Sequence, residues 1–235
     1  MIIEELKKEY QEAKELPSQL NFIEKLLESN DKDIMEYHYS LLKYRETDFF
    51  YLLRAKFKKR GDVGAQFLLE KLQEEKNNTL KEEAFFILGL LRENLNSEEI
   101  KILKFNASQF ILEKENYLRQ YYGIIVLGWI GNEEEIKILE NELSNNLDVE
   151  LKSSASAALR QIWFNHENLK EKILRIYFNS LKNEDNNIVN RTSIACIQDL
   201  LQKKLGINEV NGNISGNVKK AKIKALNILE KEFIK

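Results

Sequence analysis

The stretch LGWIGNEEEIKILENEL, from Leu127 to Leu143, joins two helical patterns without a linker between them. An apolar run that ends at Ile130 is followed directly by Gly131 and Asn132, and an amphipathic pattern begins at once. Glycine is the usual residue of a left-handed helix C-cap, and asparagine is a favoured N-cap. The stretch therefore predicts the tight corner of a helical hairpin, in which Gly131 ends the first helix and Asn132 caps the second. Gly61 and Asp62 predict a similar corner.

Four segments of the chain align with the first helix of this corner. They begin at Leu80, Arg119, Leu151 and Val189, at successive shifts of 39, 32 and 38 residues. Such spacing is typical of stacked helical hairpins rather than of a single globular bundle.

The aligned columns have a physical meaning. One column contains only small residues, which allow a neighbouring helix to approach closely, namely Ala84, Gly123, Ala155 and Ser193. Three further columns are apolar and lie on one face of a helix. A single hairpin cannot bury this face, whereas a stack of hairpins buries it repeatedly. The sequence thus predicts an all-α fold, an α-α superhelix made of antiparallel helix pairs.

The pattern resembles the HEAT-like repeats of bacterial proteins, including the short form named after phycobilisome lyases. Asp148-Val149 followed by alternating alanines matches the first half of that motif, and Leu127-Gly128-Trp129-Ile130-Gly131-Asn132 matches the second half. The resemblance covers about residues 48–205 and implies an armadillo-like solenoid with a concave groove. Arg160 and Gln198 depart from it, because the motif has an internal glycine at these positions.

The ends of the chain are expected to cap the repeats, so that the whole forms one elongated domain. Residues 1–47 are predicted to be capping helices, at 2–15, 18–28 and 34–45, with the first break at Leu16-Pro17-Ser18. Residues 48–205 hold the repeats. Residues 206–235 are predicted to form a polar loop at 206–213 and a last helix at 214–233.

The composition limits the possible partners and compartments. The chain has 36 Lys+Arg and 38 Asp+Glu, a formal net charge of -2, which disfavours nucleic acid because such binders need a basic excess. No apolar run is long enough to cross a bilayer, and the single cysteine, Cys196, fits a reducing compartment. We therefore expect a cytoplasmic protein without a membrane segment.

The sequence contains no recognisable catalytic or metal-binding pattern. His38 and His166 have no second ligand at a suitable spacing, and we expect both to be structural. Cys196 occupies an apolar repeat column and is expected to be a buried, unreactive thiol. We accordingly predict no catalytic residues, no metal and no cofactor, and a protein that is not an enzyme.

Two groups of residues are candidates for binding. The segment RAKFKKRG concentrates positive charge and predicts a patch for an anionic partner, made of Arg54, Lys56, Lys58, Lys59 and Arg60. Polar positions on the second helices of the repeats would line the concave groove, namely Gln66, Glu70, Gln73, Lys137, Glu140, Asn141, Lys170 and Arg175.

The mixed charge of the groove favours a protein or peptide partner, so a non-catalytic interaction or scaffold module is the first functional hypothesis. HEAT-like units also occur in immunity proteins against secreted toxins, which gives a second hypothesis. A third is an enzyme similar to the HEAT-like alkylpurine DNA glycosylases. That family uses Trp, Asp and Arg in a basic cleft, and here Trp129 and Trp163 have no matching Asp or Arg.

Overall fold

The computed structural model describes residues 2–210 and 213–233, and of Ile2 it describes the backbone alone. Within these residues the chain is helical almost throughout, apart from one two-stranded hairpin. This confirms the all-α fold class predicted from the sequence. The chain forms two compact units, Met1–Leu103 and Lys104–Lys235, whose boundary the repeat pattern does not indicate.

The first unit is built from helical pairs. Its helices are α1 (Ile2–Glu12), α2 (Leu16–Leu27), α3 (Lys32–Leu41), α4 (Asp48–Phe57), α5 (Gly61–Glu74) and α6 (Asn78–Leu90), with 3-10 turns at Lys58–Arg60 and Arg92–Asn94. Helices α2, α4 and α6 pack side by side, and α1 and α3 pack on each other in a second layer. The residues before 48 therefore form helical pairs like those that follow them.

The first helices differ from the prediction in their limits. Helix α1 ends at Glu12, and α2 already begins at Leu16, so that Pro17 lies in its first turn. Proline is well suited to this position, because the first amides of a helix have no intrahelical acceptor. Ser18 Oγ closes the start of α2 by accepting from Glu15 N–H at 3.3 Å.

Helix α7 (Ser97–Leu112) contains the boundary between the units. The second unit continues with α8 (Tyr117–Ile130), α9 (Ile136–Asn145), α10 (Val149–Asn165), a 3-10 turn (Glu167–Leu169), α11 (Lys170–Asn183), α12 (Asn187–Leu201), β1 (Ile207–Val210), β2 (Asn213–Gly216) and α13 (Val218–Phe233). Helices α8, α10 and α12 form one layer, with α10 in the centre, and α9, α11 and α13 form the other. This two-layer stack is the packing expected for consecutive units of an α-α superhelix.

Small residues allow neighbouring helices of the second unit to approach closely, which the column of small residues predicts for Gly123 and not for Gly128. A Cβ atom on Gly128 would lie 2.9 Å from the Cα of Ala158, so α8 and α10 are in backbone contact here. A Cβ atom on Gly123 would lie 2.7 Å from the carbonyl oxygen of Ala107 on α7. Larger residues at either position would force the helices apart.

The corner after α8 is tight, but its glycine has another role than predicted. Gly131 has φ -70° and ψ 159°, which is extended and not left-handed. A side chain is excluded because its Cβ would lie 2.4 Å from the carbonyl oxygen of Leu127 and 2.9 Å from Ile162 Cδ1. Asn132 Oδ1 accepts from Glu134 N–H at 2.8 Å and so closes a turn, but the N-cap of α9 is Glu135, and the predicted cap by Asn132 is therefore wrong. At the other predicted corner Gly61 does have a positive φ, of 53°, whereas Asp62 accepts from Asn94 Nδ2 and caps no helix.

The segment 206–216 contradicts the predicted loop and the predicted start of the last helix. Strands β1 and β2 pair antiparallel, with Val210 opposite Asn213, and α13 begins only at Val218. The residues between the strands, Asn211 and Gly212, lie outside the described residues. Their sequence is the favoured two-residue connection of a β-hairpin.

The hairpin is held by the two residues that depart from the repeat motif. Gln198 Oε1 accepts from the N–H groups of Leu205 and Ile207, and its Nε2 donates to the carbonyl oxygen of Ile207 at 2.9 Å. Arg160 donates to Asp199 at 2.7 Å and to Glu209 at 2.9 Å. Side chains at these two positions therefore anchor an element that is inserted into the repeat.

Candidate functional site

The predicted basic patch is not a continuous surface, because Arg60 is buried. Its side chain is only 4% exposed, and its guanidinium donates to the carbonyl oxygens of Leu26 and Ser29, at 2.7 Å each, and to Asn30 Oδ1 at 2.9 Å. These acceptors lie at and after the end of α2, where helix carbonyls lack partners. Arg60 thus ties the end of α2 to the turn after α4, which corrects its assignment to an exposed patch.

His38 is structural, as predicted, and lies against Arg60. Its Nε2 is 3.1 Å from the carbonyl oxygen of Leu53, so the neutral ring donates there and Nδ1 faces the guanidinium. Burial, together with the charge of Arg60, lowers the pKa of His38 to about 3. The ring therefore stays neutral and does not contribute positive charge.

The remaining basic residues are spread over different environments. Arg54 is half-buried, with its guanidinium 3.8 Å from Glu83 and 4.6 Å from the ring centre of Phe86. Lys56 is half-buried, while Lys58 and Lys59 are exposed. Binding of an anionic partner at these four residues stays a prediction, and the structure leaves a smaller exposed charge for it than the sequence indicates.

Four of the eight predicted groove residues lie at separate clefts. Gln66 and Glu70 line a cleft of about 430 Å³ in the first unit. In the second unit, Asn141 lines a cleft of about 520 Å³ and Lys170 lines another of about 410 Å³.

The other predicted groove residues are not among those that line these clefts. Gln73 and Lys137 are exposed, and Glu140 is half-buried. Arg175 pairs with Glu171 at 2.7 Å and lies over the ring of Phe233. Whether any of these residues bind a partner stays a prediction.

The corners before the first helices repeat with the same spacing as the helices. Each of these helices has an N-cap side chain that accepts from backbone N–H groups of the first turn, namely Asn77, Asn116, Asp148 and Asn186. Their shifts, 39, 32 and 38 residues, equal those of the aligned helices. The sequence repeat is therefore a repeat of hydrogen bonds as well as of apolar residues.

The residue before the N-cap is charged in some copies of this corner and apolar in another. It is charged in three copies, Lys76, Glu115 and Asp185, and is Leu147 in the fourth. All four are exposed, and Leu147 is 100% exposed. A fully exposed leucine between Asn146 and Asp148 makes no contribution to the core, which singles out this corner.

The cleft of about 520 Å³ lies beside Leu147, and we call it the corner cleft. It is lined by Lys114, Glu115, Tyr117, Gln120, Asn141, Glu142, Asn145, Asn146, Leu147, Asp148 and Leu151. These residues come from the α7–α8 loop, the start of α8, the end of α9 and the α9–α10 corner, all within the second unit.

The floor of the corner cleft is a closed hydrogen-bond network. Glu142 is 2% exposed, and its carboxylate accepts from Lys114 Nζ at 2.8 and 2.9 Å and from Asn146 Nδ2 at 2.6 Å. Gln120, also buried, donates through Nε2 to the carbonyl oxygen of Lys114 at 3.0 Å. The network joins the α7–α8 loop to the end of α9, so the floor is held in place by hydrogen bonds within the second unit.

The rim of the corner cleft combines apolar and acidic groups. Tyr117 is 42% exposed, and its hydroxyl donates to Glu150 Oε2 at 2.9 Å. Burial and this hydrogen bond raise the pKa of Tyr117 to about 12, which keeps the phenol protonated and donating. Asp148 and Glu115 flank Leu147 and Tyr117 with further carboxylates.

The sequence prediction identified only Asn141 among the residues of this cleft. Leu147 was not selected, because an isolated leucine in a polar loop is unremarkable by itself. Its signal lies in the alignment of the corners, where an apolar residue replaces a charged one.

The single cysteine does not line the corner cleft. Cys196 lies on α12 and is buried, as predicted, and burial raises the pKa of its thiol. Among residues 2–210 and 213–233, no group of three His, Cys, Asp or Glu side chains is arranged to hold a metal ion. Within the same residues, every helix is too short or too polar to cross a membrane.

Comparisons with protein-family models, with curated proteins and with solved structures find no match to this chain.

Proposed function

We propose that the chain is a non-catalytic protein-binding module, and that its corner cleft takes up a segment of a partner protein. The observation that carries the proposal is the full exposure of Leu147 beside a preformed cleft. Burial of a leucine side chain contributes about 2 kcal/mol of hydrophobic free energy. Folding does not bury Leu147, so a partner that covers this side chain would gain that free energy on binding.

The shape and chemistry of the cleft support a protein segment as the ligand. Asn141 and Asn145 are exposed, and Asn145 Nδ2 donates to Asn141 Oδ1 at 2.9 Å. Each amide has further donor and acceptor capacity of the kind that pairs with a peptide backbone. An apolar anchor surrounded by such polar groups is the usual composition of a protein interface.

The buried carboxylate of the floor supports a binding role rather than a catalytic one. Both oxygens of Glu142 already accept from Lys114, and Asn146 adds a third donor. A general acid or base must exchange a proton with a substrate, whereas this carboxylate is committed to structural partners. We therefore assign no reaction to the cleft.

The experiment is photo-cross-linking in the cells from which the chain comes. A benzophenone amino acid replaces Leu147 in one variant and Asp185 in a second, which is the matched position of the α11–α12 corner. We expect a specific cross-linked protein at position 147 and none at 185. The protein is identified by mass spectrometry, purified and titrated against the unmodified chain by calorimetry.

The titration decides whether the cleft is the site. Leu147→Asp is expected to weaken the affinity at least tenfold, about 1.4 kcal/mol, while Asp185→Leu leaves it unchanged. Equal cross-linking at both positions, no cross-link at 147, or an affinity insensitive to Leu147→Asp would each contradict the proposal.

A further inference from the structure

The charges of the corner cleft define the chemistry of its occupant, an inference that rests on the proposed function. Of the charged residues that line it, Lys114 is the one cation, and its ammonium is bonded to both oxygens of Glu142. This pair is neutral as a whole. The remaining charges are the carboxylates of Glu115 and Asp148, with Glu150 next to them through its bond to Tyr117.

These carboxylates lie on the exposed rim, while the Glu142 carboxylate is buried at the floor and the side chain of its partner Lys114 is 52% exposed. Glu115, Asp148 and Glu150 are all exposed. An anionic partner would meet like charges at this rim, whereas a cationic side chain would be attracted at a distance of a few ångströms. The rim therefore selects a basic group.

The apolar and acidic groups are neighbours, which restricts the spacing within the occupant. Leu147 precedes Asp148 directly, and the hydroxyl of Tyr117 is 2.9 Å from Glu150. A segment that covers Leu147 and Tyr117 with an apolar side chain consequently places its adjacent residues against the carboxylates.

We infer that the occupant of the corner cleft is a segment of a partner protein that carries an aliphatic or aromatic side chain next to Lys or Arg. The apolar side chain packs on Leu147 and Tyr117, and the basic side chain pairs with Glu115 or Glu150. Asn141 and Asn145 also line the cleft, and beyond the bond that joins them their amides have further donors and acceptors for the backbone of the segment.

The test is a selection of random twelve-residue peptides displayed on phage, with the whole chain as bait. Peptides that still bind the Leu147→Asp variant are removed by counter-selection. We expect the remaining peptides to share an apolar residue with Lys or Arg beside it, and synthetic copies to lose at least tenfold in affinity towards Leu147→Asp. Their affinity should also fall several-fold as salt is raised, because exposed charge pairs are screened.

A charge exchange makes the test specific. The double variant Glu115→Lys, Glu150→Lys should bind the selected peptides at least tenfold more weakly, and replacing the peptide's basic residue by Glu should restore binding to this variant. Asp185→Lys, a charge reversal at the matched corner, should have no effect on either peptide.

The outcomes separate this inference from the proposed function. Selected peptides that depend on Leu147 but are acidic or uncharged would overturn the inference and leave the proposed function standing. A failure of the charge exchange would do the same. If no selected peptide depends on Leu147, both the inference and the proposed function fail.

Discussion

The α9–α10 and α11–α12 corners of the second unit have the same backbone construction and different surfaces. In the first, Asp148 caps α10 and its N–H donates to Asn146 Oδ1 at 2.8 Å. In the second, Asn186 caps α12 and its N–H donates to Glu184 Oε1 at 2.8 Å. The side chain of the residue between cap and acceptor takes no part in these bonds, so the fold leaves the residue type at this position free to vary. Leucine at this position in one corner is therefore a feature of the surface, not of the fold.

Each of the two corners is also supported by an ion pair, and the two pairs lie at different places relative to their corners. Lys114 bonds Glu142 below the first corner, and Lys152 bonds Glu184 Oε2 at 2.6 Å in the second. Glu142 is the more deeply buried carboxylate, with its side chain 3% exposed against 13% for Glu184, whereas Lys114 is more exposed than Lys152, at 52% against 17%. The first pair forms the floor of a cleft, whereas the second lies within the corner itself. Substitutions at the ion pairs, at the N-caps and at the residue before the N-cap, which we call the free position (Leu147 or Asp185), test how far the two corners are alike.

Removal of the lysines should have the largest effect. Lys114→Met leaves the buried Glu142 carboxylate without its cation, which we expect to lower the free energy of unfolding by about 3 kcal/mol. Lys152→Met should cost about 2 kcal/mol, because Glu184 is less buried and keeps backbone donors. Urea unfolding followed by tryptophan fluorescence measures both, since Trp129 and Trp163 belong to the second unit.

The matched control removes both members of a pair. In Lys114→Met, Glu142→Met the buried charge is gone, so most of the lost stability should return. Equal instability of the single and the double variant would show that the cost comes from packing and not from an uncompensated charge.

The two N-caps should contribute less to the free energy of unfolding than the ion pairs do, and their contributions should be nearly equal. Asp148→Ala and Asn186→Ala each remove the acceptor of two first-turn N–H groups, and each should cost about 1 kcal/mol. Replacement by glycine should cost only a few tenths of a kcal/mol, because glycine is tolerated at N-caps. A much larger loss for Asp148→Ala alone would show that the first corner depends on more than the shared construction.

The stability contributed by the α11–α12 corner should also depend on pH. Burial by itself raises the pKa of Glu184, but the hydrogen bond from Lys152 and the N–H groups of Asn186 and Asp185 outweigh it, so the pKa is lowered. A lowered carboxylate pKa stabilises the fold above the unfolded value, about 4.5, and this contribution is lost as the pH falls through the folded pKa.

We therefore expect the unfolding free energy to decline less below pH 4.5 in Lys152→Met than in the unmodified chain. Urea unfolding at several pH values between 7 and 3 measures this, with Asp185→Leu as the control. Parallel pH curves for Lys152→Met and the unmodified chain would contradict the assignment of the shift to this pair.

Local repetition made most of the fold predictable from the sequence. The small and apolar columns of the aligned helices predicted which helix faces are buried. The N-cap residues of these helices recur at the same shifts of 39, 32 and 38 residues. The inserted hairpin was missed because its strands are short and mostly polar, although the Asn211-Gly212 dipeptide was a usable signal.

The candidate site was less predictable, because exposure depends on tertiary contacts. Arg60 belongs to a run of basic residues, yet its guanidinium satisfies carbonyl groups at the end of α2, more than thirty positions away in the sequence. Leu147 has an ordinary local sequence, and only the comparison with Asp185 shows it as exceptional. Composition led to the prediction of a protein partner, which stays a prediction, while the location of the cleft required the packing of α8, α9 and α10.

The free position should have the smallest effect on stability and a large effect on binding. Leu147→Asp and Asp185→Leu should each change the unfolding free energy by less than about 0.5 kcal/mol, since both side chains are exposed. Leu147→Asp should nevertheless weaken the binding of the partner or selected peptide at least tenfold. Asp185→Leu in the same chain should not restore it, because Lys152 and Lys222 both bond Glu184 and place cations beside that corner. Restored binding in the double variant, measured by calorimetry, would mean that an exposed leucine is sufficient and that the floor and rim of the corner cleft add nothing.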